Sequence, residues 1–223
     1  RYFTRESQQI EPDVNLSIDI LCEDQALIVV NKPAPLPMHP SGRFNRNTLA
    51  SILQDVYHPE KPRPAHRLDA NTSGLAVFTR KGAYANILQP AFERGEVRKT
   101  YLARVIGHPK EDSFACDTPI STSAGECGSR VVDHENGLAA STAFLVLHRH
   151  TDGTALLQVI PHTGRTNQIR AHLWHLGHPI VGDKIYGGDE TLYLEFVTGI
   201  LSAERAARLL LPNHALHAVK LEF

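Results

Sequence analysis

Segments with strand periodicity outnumber helical ones in this chain, and the two kinds do not alternate as regular βαβ units. No other sequence property restricts the fold as much. Residues 26–31 (ALIVVN), 75–79, 100–106 (TYLARVI), 141–147 and 156–160 read as strands, and Val219, Leu221 and Phe223 alternate in a last one. Helices are expected from Thr48 to about Val56, with Leu49, Ile52 and Val56 on one face, at 83–94 ended by Gly95, and near 166–176, 191–197 and 202–210. Residues 32–40 (KPAPLPMHP) are too proline-rich for anything but a stiff, extended connection. The polar stretch 107–138 reads as irregular or hairpin structure. This pattern predicts an α+β fold, with a mixed, largely antiparallel central sheet flanked by helices and loops.

With 223 residues and 42% hydrophobic content, the chain can bury one large domain or two closely packed subdomains. An N-terminal extension is expected over residues 1–19, and the main domain over 20–223. Apolar runs fall far below the roughly 20 residues a membrane helix needs, so no membrane partner is expected. Residues 1–13 are polar and unlike a secretory signal. Cys22, Cys116 and Cys127 form no CxxC pair, which argues against a disulfide framework or thiolate zinc site and for a reducing cytoplasm.

The net charge of -1 conceals an asymmetry: residues 1–26 carry two basic and six acidic side chains, whereas 61–110 carry ten basic against three acidic, net +7. A basic cleft in a neutral protein can hold a polyanion, because phosphate contacts depend on the local field. A solvated, charge-rich helix face is the competing reading. The basic window surrounds HRLDANTSGLAVFTR at 66–80, where Asp69 follows Arg67 and precedes the turn formers Asn71, Thr72, Ser73 and Gly74. An aspartate in such a loop commonly caps backbone. A second constellation, PHTGRTNQIRAH at 161–172, ends a strand, turns at glycine and begins a helix with Arg165 near its start. Paired with Asp69, Arg165 would keep the carboxylate ionised and orient it bidentately, fit to act as nucleophile or base. An ordinary ion pair is the alternative.

Three segments, HRLDANTSGL at 66–75, RKTYLARV at 98–105 and HTGRTNQIRAHLWHLGHPIVGDKIYG at 162–187, closely resemble the RluA family of pseudouridine synthases, in that order. NKP at 31–33, HP at 39–40 and LHAVKLEF at 216–223 are similar to flanking segments of the family. The resemblance implies the pseudouridine synthase fold, a catalytic domain over 20–223, and site-specific isomerisation of uridine in structured ribosomal or transfer RNA. It implies that Asp69 is the catalytic aspartate, that Tyr101 stacks on or lies beside the target uracil, and that Arg165 pairs with Asp69. It further implies that Arg67 fills the place vacated by the flipped base, with His66, Thr72 and Leu216 also in RNA binding and base flipping. Taken alone, Tyr101 would be an ordinary strand aromatic. Two positions depart from the family pattern: Pro35 stands where glycine is frequent, and Asn167 where histidine is frequent.

The implied reaction breaks the bond between uracil nitrogen and ribose, turns the bound base and joins its carbon 5 to the same sugar carbon. It needs no cofactor and no metal, in keeping with the absence of a GxGxxG fingerprint or P-loop. His172, His175 and His178 have a spacing that suggests zinc. Helical geometry turns successive members by about 60°, so the first and third lie roughly 120° apart, and structural hydrogen bonding is the preferred reading. A hydrolase lacks its GxSxG elbow. A noncatalytic RNA-binding protein on the same fold is the main rival, and a monomer is expected.

Overall fold

The computed structural model describes residues 11–125, 127–187 and 191–223. Its strands are β1 (Asp19–Glu23), β2 (Leu27–Lys32), β3 (Arg63–Pro64), β4 (Ser73–Thr79), β5 (Arg98–Ile106), β6 (Ser113–Cys116), β7 (Thr142–Arg149), β8 (Thr154–Pro161) and β9 (Leu216–Glu222). Helices α1 (Leu49–Val56), α2 (Gly82–Glu93), α3 (Gln168–His175), α4 (Thr191–Thr198) and α5 (Ala203–Ala207) intervene. The strands form a single sheet in the order β1-β2-β4-β9-β5-β8-β7-β6, with β3 on the flank of β4. Every pairing is antiparallel except β4 with β9. The fold is therefore α+β with a mixed, largely antiparallel sheet, as the strand pattern predicts.

Alternation explains the layers. In β2, Ile28, Val30 and Lys32 point into the main core, while Leu27 and Val29 pack with Ala65, Val77 and Leu88 on the opposite face. Helices α1 and α3 supply Leu49, Leu53, Ile169 and Leu173 to the main core, and α2 supplies Leu88 and Phe92 to the other. Thr48 caps α1 as expected, its hydroxyl accepting from the Ser51 amide at 3.2 Å. Of the expected face Leu49, Ile52 and Val56, Leu49 is buried and Ile52 packs half-buried on the main core, but Val56 is 65% exposed, and Ala50 and Leu53 complete the buried stripe. A helix of eight residues has barely two turns, so the docking angle, rather than periodicity, chooses the face.

The join between β4 and β9 places the loop that carries Asp69. Gly74 pairs with Ala218 at φ +107°, and a Cβ there would stand 2.2 Å from the Ala218 carbonyl oxygen. Glycine alone lets the two backbones meet so closely. One strand further on, the β5–β9 register shifts between Thr100 and Tyr101, a bulge of the kind that re-aims side chains.

The expected extension at 1–19 lies partly outside the described residues. In its described part, Glu11 accepts from the amides of Asn45, Arg46 and Asn47 at 2.8–3.0 Å, and Val14 and Ile18 pack on the main core. The stretch 107–138 holds β6 and isolated bridges from Ile120 to Val132 and Leu138. No helix among the described residues is long and apolar enough to cross a membrane.

Candidate active site

A cleft of about 540 Å³ opens where the loop before β4, strand β5 and the turn into α3 converge. All seven side chains singled out in the sequence, His66, Arg67, Asp69, Thr72, Tyr101, Arg165 and Leu216, line it. Their roles in it differ.

Asp69 is paired with Arg170, not with the expected Arg165. The Arg170 Nη1 donates to the Asp69 carboxylate at 2.9 Å, whereas Arg165 is exposed and its Nε donates to the Ala139 carbonyl at 3.0 Å. The cause is the start of the helix. Helix α3 begins at Gln168, so Arg165 lies in the preceding turn, while Arg170 projects from the first helical turn into the protein, 6% exposed. Asn167, one of the two departures from the family pattern, is the N-cap at φ 57°, a left-handed conformation that asparagine tolerates. Its Oδ1 accepts from the same Arg170 nitrogen at 3.1 Å.

Arg170 is shared with a second carboxylate that the motifs did not reveal. Its Nε and Nη2 donate bidentately to Asp183 at 2.6 and 2.9 Å, and Asp183 is wholly buried. Asp183 also accepts from the amides of Ile185 and Tyr186. Burial would push the Asp183 carboxyl up, but the Arg170 hydrogen bonds and charge outweigh it and hold it below the usual range. In Arg170 the balance has the same outcome: burial is overcome by Asp183 and Asp69, and the guanidinium stays charged. The Tyr186 ring lies under that guanidinium at 4.9 Å. The network closes through His214, whose Nδ1 is 3.8 Å from Asp183 and whose Nε2 is 2.8 Å from the Thr72 hydroxyl. The Thr72 amide in turn donates to the Asp69 carbonyl at 3.1 Å. Thr72 is thus buried and spends its hydroxyl inward. Burial, then the Arg170 charge, brings His214 down to about 4, so it is neutral in this ring.

Lys32 holds the loop from the other side. Its ammonium is fully buried and donates to the carbonyls of Leu36, Pro33 and Ala70 at 2.7, 3.0 and 3.0 Å. Burial lowers its pKa, and the nearby Asp69 charge opposes that shift. Ala70 is the residue after Asp69, so this lysine fixes the backbone that presents the carboxylate. The sequence pattern assigns Lys32 to the proline-rich connection, although the alternation of Ile28 and Val30, carried one step further, reaches it.

Tyr101 is 7% exposed, and its phenol is pushed up, first by burial and then by the Asp69 charge. A phenol so placed stays protonated, able to donate a hydrogen bond but unsuited to taking a proton. His66 stacks on Phe92 at 4.4 Å, and its Nε2 accepts from the Val77 amide at 3.2 Å. Burial chiefly, with the Lys99 charge, lowers His66 to about 4. Its ring props the start of the motif as a neutral group. Arg67 is exposed at the cleft, with no ion-pair partner among the described residues.

The histidines at 172, 175 and 178 do not converge. The His172 ring nitrogens are engaged by the Thr142 hydroxyl and the Thr118 carbonyl at 2.9 Å each, and α3 ends at His175, before His178. His172 is thus a structural hydrogen-bonding group, and the His178 Nδ1 lies 3.2 Å from the Ile106 carbonyl.

Comparison with known proteins identifies the family. The family described as RNA pseudouridylate synthase matches residues 26–175. The chain is 39% identical over 184 residues to the dual-specificity RNA pseudouridine synthase RluA of Vibrio vulnificus, covering 79% of this chain and 72% of that protein. It is 36% identical over 202 residues to RNA pseudouridine synthase 7 of Arabidopsis thaliana, covering 83% of this chain but only 51% of that protein. The chain thus spans about half the length of the plant relative. Among solved structures, human RNA pseudouridylate synthase domain containing 1 superposes with a TM-score of 0.74 at 27% identity, covering 95% of this chain and 80% of that one. The chain belongs to the RNA pseudouridylate synthase family. Within that family its likeness is to the RluA type.

Proposed function

We propose that this protein converts uridine to pseudouridine at a specific site in structured ribosomal or transfer RNA, with Asp69 as the catalytic residue. The observation that carries the reading is the Asp69 carboxylate, held at 2.9 Å by Arg170 and half-exposed in a cleft beside Tyr101. Family membership supplies the reaction class. In the reaction, the uracil N1 to ribose C1′ bond breaks, the base turns while bound, and C5 bonds to C1′. The C5 proton is lost and N1 gains one, so the product is an isomer and no external group is consumed.

Each neighbour has a task in this scheme. Arg170 and Lys32 hold the aspartate and its loop. Tyr101 offers a flat face to the uracil and a protonated hydroxyl at its edge. Unstacking the target costs a few kcal/mol, and the exposed guanidinium of Arg67 is placed to fill the gap. Arg165, freed from the aspartate, faces the cleft as a phosphate contact rather than a catalytic group. No cofactor or metal enters the scheme, and three cysteines with no CxxC pair among them suit a reducing compartment such as the cytoplasm.

The test is Asp69→Asn, which preserves shape. Pseudouridine formation in total RNA by the purified protein is expected to vanish, with RNA binding retained. Pseudouridine formed by the variant would sink the assignment. RNA binding by a wild type whose deletion costs no cellular pseudouridine would favour a binding module instead.

A further inference from the structure

Four lysine or arginine side chains are buried among the described residues, and three are satisfied. Lys32 fills three carbonyls, Arg170 joins two carboxylates, and Lys184 donates to the Pro212 carbonyl and lies 4.5 Å from the Phe196 ring. The fourth is Lys99. It is 9% exposed, and its ammonium makes no hydrogen bond or ion pair with any other described residue. Burial lowers its pKa, with no carboxylate offsetting the shift. The side chain is enclosed but its ammonium tip is not wholly sealed from the cleft, and a charge so placed without a protein counter-ion is costly to hold.

Its position gives the cost a purpose. Lys99 lines the cleft from the buried row of β5, two residues before Tyr101 and hence about 7 Å along the same strand. The Gly164 backbone lies close to its ammonium. A methyl group added at Gly164 would stand 3.4 Å from the Lys99 Nζ, so any larger side chain there would cover the ammonium. His66, its other neighbour, is neutral and offers it no counter-charge. The cation thus lines the cleft without a protein counter-ion, one strand pleat from the aromatic face proposed for the base.

We infer that Lys99 is the seat of an RNA backbone phosphate, the one adjoining the uridine whose base rests on Tyr101. The ammonium replaces solvent at that phosphate, so the RNA supplies the counter-ion that the fold withholds. The inference rests on the proposed reading of the cleft, and it makes Lys99 a positioning residue. Asp69 and Tyr101 meet the base and sugar, while Lys99 sets how deep the flipped nucleotide enters.

The test measures binding of a short single-stranded oligouridylate and of bulk transfer RNA as a function of KCl concentration, for wild type, Lys99→Met and Lys99→Arg. One phosphate contact contributes about 0.7 to the slope of log affinity against log salt on a single strand. Lys99→Met is expected to lower the slope by about that amount, and Lys99→Arg to retain it. Because the ammonium has no protein partner, Lys99→Met should also unfold at a denaturant concentration no lower than wild type. An unchanged salt slope in Lys99→Met overturns the inference, as does a loss of stability unaccompanied by a change in slope. Pseudouridine formation is scored separately. A lowered slope in a protein that makes no pseudouridine would leave the phosphate seat standing and remove the reaction, and the converse result would remove only the seat.

Discussion

Replacing Arg170 by methionine would leave Asp183 charged, wholly buried and without its counter-ion, and Asp69 without its anchor. Breaking a buried pair from one side costs about 3–5 kcal/mol, so urea unfolding of Arg170→Met should shift by that amount. Arg170→Lys should fall between, since a single ammonium cannot serve both carboxylates in fork geometry. At this scale the motif was partly legible. PHTGRTNQIRAH offered an arginine that could reach a carboxylate, the family resemblance implied that its partner is Asp69, and the glycine turn drew attention to Arg165. The helix starts three residues later, which hands the role to Arg170 and leaves Arg165 at the surface. The sequence pattern places Lys32 in the proline-rich connection at 32–40, whereas it ends β2 and continues the inward alternation of Ile28 and Val30. Asp183 was not legible, because a single carboxylate after IVG has no local pattern that marks it as buried.

Among the elements, the join of β4 to β9 bears most directly on the site. Gly74→Ala must force a Cβ to within 2.2 Å of the Ala218 carbonyl oxygen, from a backbone at φ +107°. Overpacking costs about 1–3 kcal/mol, and the positive φ adds about 1–2. The urea midpoint should fall accordingly, and pseudouridine formation should fall with it at temperatures where the variant is folded, since the strand end carries the Asp69 loop. Strand and helix locations were largely visible in the sequence. Expected strands at 75–79 and 100–106 became β4 and β5 with slightly earlier starts, and Thr48 and Ser202 cap α1 and α5. Short edge strands were missed. Strand β3 has two residues and β6 four, too few for alternation to register, and they form because a partner strand is already in place.

For the whole molecule, the neutral buried His214 predicts how stability responds to acid. Its pKa is about 4 when folded against an ordinary value near 6.5, so the unfolded chain takes up the proton first. Stability from this group is complete above pH 6.5 and is lost as pH falls from there to about 4. A shift of that size corresponds to about 3 kcal/mol, and His66 acts in the same direction. Unfolding free energies measured across that window should decline more steeply for wild type than for His214→Gln. Equal slopes would show that His214 is not the group responsible. The charge map also changes at this scale. Of the ten basic residues in 61–110, Arg67 and Lys99 line the cleft, whereas Arg80, Arg94 and Arg104 are tied to Glu60, Glu96 and Asp152. The local net charge therefore marked the right region for a partly wrong reason. The sequence by itself determined the α+β class, the strand order along the chain and the motifs that meet in the cleft, because periodicity and turn chemistry are local properties. Only the tertiary structure decided which arginine reaches Asp69, that Asp183 and His214 close a ring behind it, and that Lys99 lacks a counter-ion among the described residues. Those outcomes depend on helix starts, strand register and approach distances of about 3 Å between segments far apart in the chain, which no spacing along it encodes.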